Sequence, residues 1–151
     1  MNTRRNLIAA VAPALASMAM PAGPVLAAAP GGAQPATAAA GELLLVMEKN
    51  SRGLGWYDPA DGRRVAGVEL PEFPHEFVLD STGRYAFVGH YGLFNSASNE
   101  QGGHSVVVVD LHERRVARTI DLRPYNRLHG MAIDRQDRLY VLSEGQNTLL
   151  T

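Results

Sequence analysis

An internal repeat constrains this chain more than any other feature of its sequence. Residues 75–80 (HEFVLD) match residues 129–134 (HGMAID) without a gap, and the match continues from residues 83–88 to residues 137–142. The offset between the two copies is 54 residues. A chain that repeats a unit of this length stacks copies of one small structural unit, each of which buries its faces against its neighbours.

Each unit consists of short strand-like runs separated by turn residues. Residues 43–47 (LLLVM), 84–88 (RYAFV) and 105–109 (SVVVV) are apolar or β-branched, whereas residues 58–62 (DPADG) and 80–83 (DSTG) are typical of tight turns. No stretch of this region shows a sustained period of 3.6 residues. The sequence therefore predicts an all-β fold with almost no helix.

Four strands repeating at about 40–45 residues are typical of β-propeller blades. The polar insertion at residues 91–103 explains most of the longer period found here. One complete blade is predicted, innermost strand first, from residues 75–80, 84–90, 104–111 and 114–122. Residues 43–49, 52–58 and 63–70 are expected to form the outer three strands of the blade before it. Residues 129–134 and 138–144 begin the next blade, and residues 147–151 start its third strand.

These segments amount to about two and a half four-stranded blades, whereas a closed propeller contains roughly four to eight. The first blade is expected to lack its innermost strand. We therefore expect an N-terminal fragment of a longer ring or a truncated gene product. The alternative is a short protein that closes its ring by oligomerising. In either case the remaining blades, or other copies of the chain, are the partners needed for closure.

The composition excludes several classes of function. Residues 42–151 contain 12 basic and 15 acidic side chains, a net charge of −3, which argues against a nucleic-acid or anionic-membrane binder. The chain contains no cysteine. Disulfides, a thiol nucleophile and thiolate metal sites are therefore excluded.

The N-terminus is predicted to be a targeting segment rather than part of the fold. Residues 1–29 begin with Arg4 and Arg5, continue with an apolar stretch from Leu7 to Met20, and end in small residues, which is the order of a secretory signal. The paired arginines also fit twin-arginine export, and the two export routes remain open. Residues 30–41 are expected to be a flexible linker and residues 42–151 a partial propeller domain. The predicted location is the bacterial periplasm or exterior, with no membrane span after signal removal.

Three phrases of the chain resemble bacterial YVTN-type β-propeller repeat proteins. Residues 74–84 (PHEFVLDSTGR) are similar to the family's PHEVAVSPDGR, residues 140–145 (YVLSEG) to YVTSEG, and residues 105–119 to VSVIDLATRKVVRT. The resemblance covers about residues 43–151 and implies an exported propeller, seven-bladed when complete. Leu128 replaces the usual proline, and residues 136–137 replace the usual Asp-Gly, so the turn geometry of the second copy is expected to differ.

The candidate site residues are His75, His90, His129 and Glu144. His75 and His129 occupy equivalent positions at the start of innermost strands, and we align His90 with Glu144 at the end of second strands. In a propeller these positions lie on one face of the disc. Imidazoles with a carboxylate suit a divalent first-row metal cofactor or general acid–base catalysis. The simpler alternative is that these recurring polar residues tie neighbouring loops together by hydrogen bonds.

Two functions fit this sequence. The favoured one is an exported propeller that serves as a binding or scaffold module, with residues 91–103 as a candidate binding loop. The alternative is a lactonase-like hydrolase or a metal-dependent oxidoreductase that uses the histidine-lined face, because related propellers include lactonases and domains of redox enzymes. Trp56 is expected to pack between blades rather than to line a ligand cage. The fold alone does not choose between these functions.

Overall fold

The computed structural model describes residues 8–10 and 41–151. Regular structure within these residues is entirely β. The predicted linker, apart from Gly41, lies outside the described residues, as does all of the predicted signal segment except Ile8–Ala10. The eleven strands of the described part are β1 (Ile8–Ala10), β2 (Leu44–Glu48), β3 (Gly53–Tyr57), β4 (Arg64–Glu69), β5 (Pro74–Leu79), β6 (Tyr85–His90), β7 (Ser105–Asp110), β8 (Arg115–Asp121), β9 (Leu128–Ile133), β10 (Leu139–Ser143) and β11 (Thr148–Leu150).

The strands form three separate sheets. The first sheet has the order β1-β2-β3-β4, the second β5-β6-β7-β8 and the third β9-β10-β11. From β2 onwards, each sheet is an antiparallel meander of consecutive strands. The second sheet is the complete four-stranded unit that the repeat predicts, and the all-β, propeller-like fold class is confirmed.

The inner edge of the first sheet differs from the expectation. This edge is predicted to lack a strand, but Ile8–Ala10 pairs with β2 there. The two strands run parallel, with Ile8 opposite Leu44, whereas every other pairing in the described sheets is antiparallel. An open edge presents unpaired backbone N–H and C=O groups, to which an extended segment of either direction can bind.

Two apolar cores hold the sheets together. The larger one lies between the first and second sheets and includes Leu45, Leu54, Trp56, Val88 and Val109. The smaller one joins the second sheet to the third through Val106, Leu128 and Val141, packed against partly buried neighbours. Strand β7 contributes to both cores, because alternate side chains of a strand point to opposite faces. This explains why its sequence is an unbroken run of four valines rather than an alternating pattern.

The outer strands are exposed to solvent. Six of the seven residues of β8 are exposed. In the third sheet, Leu142 and Leu149 are about half exposed, at 47% and 57%. No helix in the described residues is long and apolar enough to cross a membrane.

The hairpin that joins the first two strands is one residue shorter in the third sheet than in the second. The backbone N–H of Asp80 donates to the carbonyl of Tyr85, whereas that of Asp134 donates to the carbonyl of Arg138, one position earlier. Strand β6 therefore places His90 opposite Pro74, and β10 places Ser143 opposite Leu128. Because the repeat aligns Pro74 with Leu128, the structural counterpart of His90 is Ser143.

This shift corrects the alignment of His90 with Glu144. The counterpart of Glu144 is Tyr91, since each is the first residue after its strand. A change of one residue in register moves a side chain to the opposite face of a sheet. In sequence, the two turns differ by Gln136-Asp137 in the place of Thr82-Gly83.

Asp121, at the end of β8, gives the fold a testable pH dependence. Its carboxylate accepts the backbone N–H of Arg123 at 3.0 Å and the Arg123 Nε–H at 2.9 Å. The Arg123 side chain first, and then its backbone N–H, lower the pKa of Asp121 from the usual 3.8 to about 2. Because the pKa of Asp121 is lower in the folded chain than in the unfolded chain, its carboxylate stabilises the fold at pH values above the unfolded pKa. This contribution is lost as the pH falls from about 4 to about 2.

The substitution Arg123→Gln is expected to raise the pKa of Asp121 towards 3.8, because it removes the cation that favours the carboxylate form. The measurement is an NMR titration of the Asp121 carboxyl carbon in the two proteins. Identical titration curves would contradict the ion pair. The effect on stability is expected to be small, because both side chains are about half exposed or more.

Candidate functional site

The second and third sheets carry the same irregularity at the start of their innermost strands. In β5, residues 75–76 lie opposite the single residue Gly89. In β9, residues 129–130 lie opposite the single residue Leu142. Both are β-bulges, which bend the strand and re-aim its side chains, and bulges are frequent next to active sites.

The residue before each of these strands also adopts the same unusual backbone conformation. Phe73 has a φ of 49° and Arg127 a φ of 52°. Positive φ is uncommon for residues other than glycine and is strained for bulky ones. The two entry loops therefore share a local geometry that the surrounding structure has to hold in place.

The two bulges bring His75 and His129 together. Strands β5 and β9 lie next to each other, and the two imidazole rings are tilted by 44° with their centroids 4.4 Å apart. The ring of Tyr91 meets both edge-on, at 5.4 Å from His75 and 5.2 Å from His129. The two histidines that the repeat aligns are thus neighbours in space, with a buried tyrosine against them.

His75 has an unused donor or acceptor atom. Its Nδ1 is buried and has no hydrogen-bond partner among residues 8–10 and 41–151, and the Oε1 atom of Glu76 lies 3.7 Å away. Burial, together with the positive charges of Lys49 and His129, lowers the pKa of His75. The neutral imidazole is therefore favoured, which is the form that binds metals. A buried polar atom without a partner is costly unless something else binds it.

Glu76 completes a set of possible metal ligands. One donor atom each from His75, Glu76 and His129 can be chosen so that all three lie within 4.8 Å of one another. We call these three residues the histidine site. Strand alternation would send Glu76 to the face opposite His75, but the bulge at residues 75–76 changes the direction of its side chain. Sequence analysis missed Glu76 for this reason.

A second set of residues borders the histidine site. Lys49, Tyr91 and Glu144 each directly follow the second strand of their sheet, which is β2, β6 and β10 respectively. The Lys49 Nζ atom lies 5.5 Å from the centre of the Tyr91 ring. The Tyr91 hydroxyl lies 3.1 Å from both carboxylate oxygens of Glu144. The Nη1 atom of Arg127 is 3.5 Å from Glu144.

Glu144 therefore reaches the site through Tyr91. Burial first, and then the hydrogen bond to Glu144, raise the pKa of Tyr91, so its hydroxyl stays protonated at neutral pH and donates to the carboxylate. Sequence analysis selected Glu144, included Tyr91 only as the first residue of the candidate binding loop 91–103, and did not select Lys49. The shorter turn of the third sheet bears on Tyr91, because it changes the residue that aligns with Glu144. The signal for Lys49 is that it ends the predicted strand 43–49, as Glu144 ends the predicted strand 138–144.

His90, in contrast, is not among the residues whose donor atoms cluster in the histidine site. Its Nδ1 is 3.3 Å from the Ser105 hydroxyl oxygen on β7, and its ring packs so closely on Gly103 that a side chain there would overlap it. Burial lowers the pKa of His90. His90 fits the structural alternative, a polar residue that ties neighbouring strands.

The insertion at residues 91–103 is anchored beside these residues. The backbone N–H of Gly103 donates to the carbonyl of Tyr91 at 2.8 Å and closes the base of the loop. The Arg127 guanidinium donates to the carbonyls of Ser98 at 2.7 Å and Glu100 at 2.9 Å. Phe94, 64% exposed, meets Phe73 edge-on at 6.0 Å. The loop is thus held against the strained entry residues Phe73 and Arg127.

Comparison with known proteins identifies the fold and no more. No known protein family matches the sequence, and no curated protein does. The structure is similar to hydrazine synthase of Kuenenia stuttgartiensis, with a TM-score of 0.50 and 22% identity over 71% of this chain and 34% of that one.

Two other solved structures are similar at lower scores. A protein of unknown function from Bacteroides caccae has a TM-score of 0.48 and 14% identity over 62% of this chain and 31% of its own. The dihydro-heme d1 dehydrogenase NirN in complex with DHE has a TM-score of 0.49 and 15% identity over 72% and 23%. The chain thus spans about a third or less of the length of these proteins. Hydrazine synthase is a β-propeller protein. Its similarity therefore indicates that the three sheets described here form part of a β-propeller-like fold.

Proposed function

We propose that this chain is part of an exported bacterial β-propeller of the YVTN-repeat type, and that it acts as a binding module for a divalent transition-metal ion. The observation that carries the proposal is the convergence of two imidazoles and a carboxylate, with donor atoms within 4.8 Å of one another. Imidazole nitrogens suit Zn²⁺, Cu²⁺ and Ni²⁺. Three protein ligands leave a coordination position open for a further ligand.

The unpartnered Nδ1 of His75 supports the same function. Neither His75 nor His129 makes a side-chain hydrogen bond to another described residue, so hydrogen bonding between loops does not account for this pair. The absence of cysteine makes nitrogen and oxygen the ligand atoms. A closed ring would surround this site with further blades, supplied by a longer chain or by other copies.

Metal binding is tested by titrating the full chain, without a histidine tag, with Zn²⁺ and Ni²⁺ in a calorimeter. We expect one ion per chain, and we expect His75→Ala and His129→Ala each to weaken binding about 100-fold or more, since losing a ligand costs at least as much as losing a residue that orients one. Glu76→Gln is expected to weaken it about tenfold, because a neutral amide is the poorer ligand.

The matched control is His112→Ala, which removes an exposed histidine on the turn after β7. Its affinity for Ni²⁺ should equal that of the unchanged chain. If His112→Ala weakens binding as much as His75→Ala does, surface histidines bind the ion and the proposal is wrong. Circular dichroism of each variant shows whether the sheets remain folded.

Catalysis is the second candidate function, and the open coordination position favours it. An ion held by His75, Glu76 and His129 would acidify a bound water for attack on an ester or lactone carbonyl, and the Tyr91 ring lies against the two histidines. The test is pH-stat hydrolysis of a δ-lactone by the Zn²⁺-loaded chain, with His129→Ala as the inactive variant. Metal binding without turnover would leave the binding function in place and reject the hydrolase.

Export is tested separately. We propose that residues 1–29 are a signal segment that is removed on transport to the periplasm. Expression in a bacterium, followed by mass spectrometry of the periplasmic protein, should show a mature chain that begins within a few residues of Ala29. Replacing Arg4 and Arg5 by lysine should block export if the twin-arginine route is used, and should leave it unchanged if the general route is used.

A further inference from the structure

Lys49 is the only lysine in the 151-residue chain, and it lies beside the histidine site. It directly follows β2, at the position that Tyr91 and Glu144 occupy after β6 and β10. Its ammonium group lies over the Tyr91 ring, 5.5 Å from the ring centre, and that ring in turn contacts His75 and His129. Lys49 is only partly exposed to solvent.

The charge of Lys49 has no carboxylate partner in the described part of the chain. Neighbouring acids are already engaged: Glu48 pairs with Arg64 at 2.7 Å, and Glu144 pairs with Tyr91 and Arg127. Burial lowers the pKa of Lys49, with no compensating charge. An ammonium that has lost part of its hydration without gaining an acid is well placed to bind an external anion.

The charge balance of the site points the same way. Lys49 and Arg127 supply two positive charges, and Glu76 and Glu144 supply two negative ones. A divalent ion at the histidine site makes this group of residues positive overall, and its open coordination position accepts an oxygen ligand. A negatively charged oxygen group would satisfy both the ion and the lysine.

We propose that Lys49 binds the oxyanion group of the module's ligand, a carboxylate or a phosphate, while another oxygen of that group occupies the open position on the metal ion. The proposal rests on the proposed metal-binding function. It names a small anionic ligand held between the ion and the lysine.

The experiment titrates inorganic phosphate and, separately, acetate into the full chain loaded with Ni²⁺, at constant ionic strength. We expect Lys49→Gln to weaken anion binding about tenfold, because a hydrogen bond to a charged group is lost, and Lys49→Arg to restore part of it. The phosphate and acetate arms distinguish the two sources of the oxyanion. Ni²⁺ itself should still bind Lys49→Gln, and more tightly, since a nearby positive charge is removed.

The matched control is Arg52→Gln. Arg52 is a cation on the same β2–β3 turn, but its guanidinium is paired with Glu72. Its loss should leave anion binding unchanged. A direct readout is also available, because reductive methylation with ¹³C-formaldehyde labels Lys49 as the one side-chain amine of the protein. Its NMR signal should shift on addition of the bound anion and not on addition of chloride.

The outcomes separate the two proposals. If Ni²⁺ binds but Lys49→Gln binds phosphate and acetate as tightly as the unchanged chain, the role of Lys49 is wrong and the metal site stands. If Ni²⁺ does not bind, the proposed metal site is wrong. The anion titration of the metal-free chain then tests whether Lys49 binds an anion by itself. Anion binding that still depends on Lys49 would support its role, and anion binding that does not would reject it.

Discussion

Trp56→Ala is expected to lower the free energy of unfolding by about 3–5 kcal/mol, the usual cost of removing a large buried aromatic side chain. Trp56 is 2% exposed and lies in the core between the first two sheets. Its backbone pairs with Leu45 on one side and Ala66 on the other. The fold holds these neighbours in place, so they cannot close the space that the indole leaves.

The measurement is urea unfolding followed by circular dichroism, since the variant lacks the chain's only tryptophan. With an m value of about 2 kcal/mol per molar urea, the midpoint should fall by about 2 M. Stability of this size is a large part of the total for a small domain, so the variant is expected to be partly unfolded at 37 °C. Trp56→Phe keeps most of the apolar volume and should lose much less.

Phe94→Ala is the matched control for this substitution. It also removes a large aromatic ring, but Phe94 is 64% exposed, and the cost should be about 1 kcal/mol or less. Equal losses for Trp56→Ala and Phe94→Ala would show that the first two sheets do not pack through Trp56, and would contradict the larger core described here.

Gly92→Ala is the second substitution with a large expected effect, about 2–5 kcal/mol. Gly92 has a φ of 71°, a conformation that costs other residues about 1–2 kcal/mol. A Cβ atom there would lie 2.2 Å from the backbone nitrogen of Gly103. Backbone cannot rotate away as a side chain does, so overpacking adds about 1–3 kcal/mol.

Gly83→Ala isolates the steric part of this cost. Gly83 has a similar φ of 68°, but a Cβ atom there would have nothing within 4 Å. Gly83→Ala should therefore lose only the conformational part, about 1–2 kcal/mol. The difference between the two variants in urea midpoint measures the close approach of Gly92 to Gly103 at the base of the insertion. If the two variants are equally stable, residues 91–103 do not close in the way described.

The histidine pair is the part of the site that the sequence repeat predicts. The match of residues 75–80 with residues 129–134 aligns His75 with His129, and adjacent innermost strands bring aligned residues together. This much follows from the sequence, because equivalent residues of neighbouring blades share one face of the disc. The involvement of a metal or an anion remains a proposal that the titrations above decide.

The positions of the other site residues depend on local features of the backbone that the sequence repeat does not show. A bulge sets the direction of the Glu76 side chain. A turn that is one residue shorter in the third sheet makes Tyr91, instead of His90, the structural counterpart of Glu144. Both are changes of a single residue, yet each sends a side chain to the opposite face of its sheet. Alignment by residue similarity is insensitive to such changes, which is why it pairs Glu144 with His90 rather than with Tyr91.

The sequence by itself determined the all-β class, the positions of strands β2 to β11 and the stacking of repeated units. Alternation, turn residues and repetition are local properties, and each is written in short stretches of residues. Only the tertiary structure decided which side chains meet the histidine pair, because that depends on bulges, hairpin lengths and the packing of the sheets. Lys49 is the clearest case: its neighbours Tyr91 and His75 are distant in sequence, and the contact of the first sheet with the second brings them together.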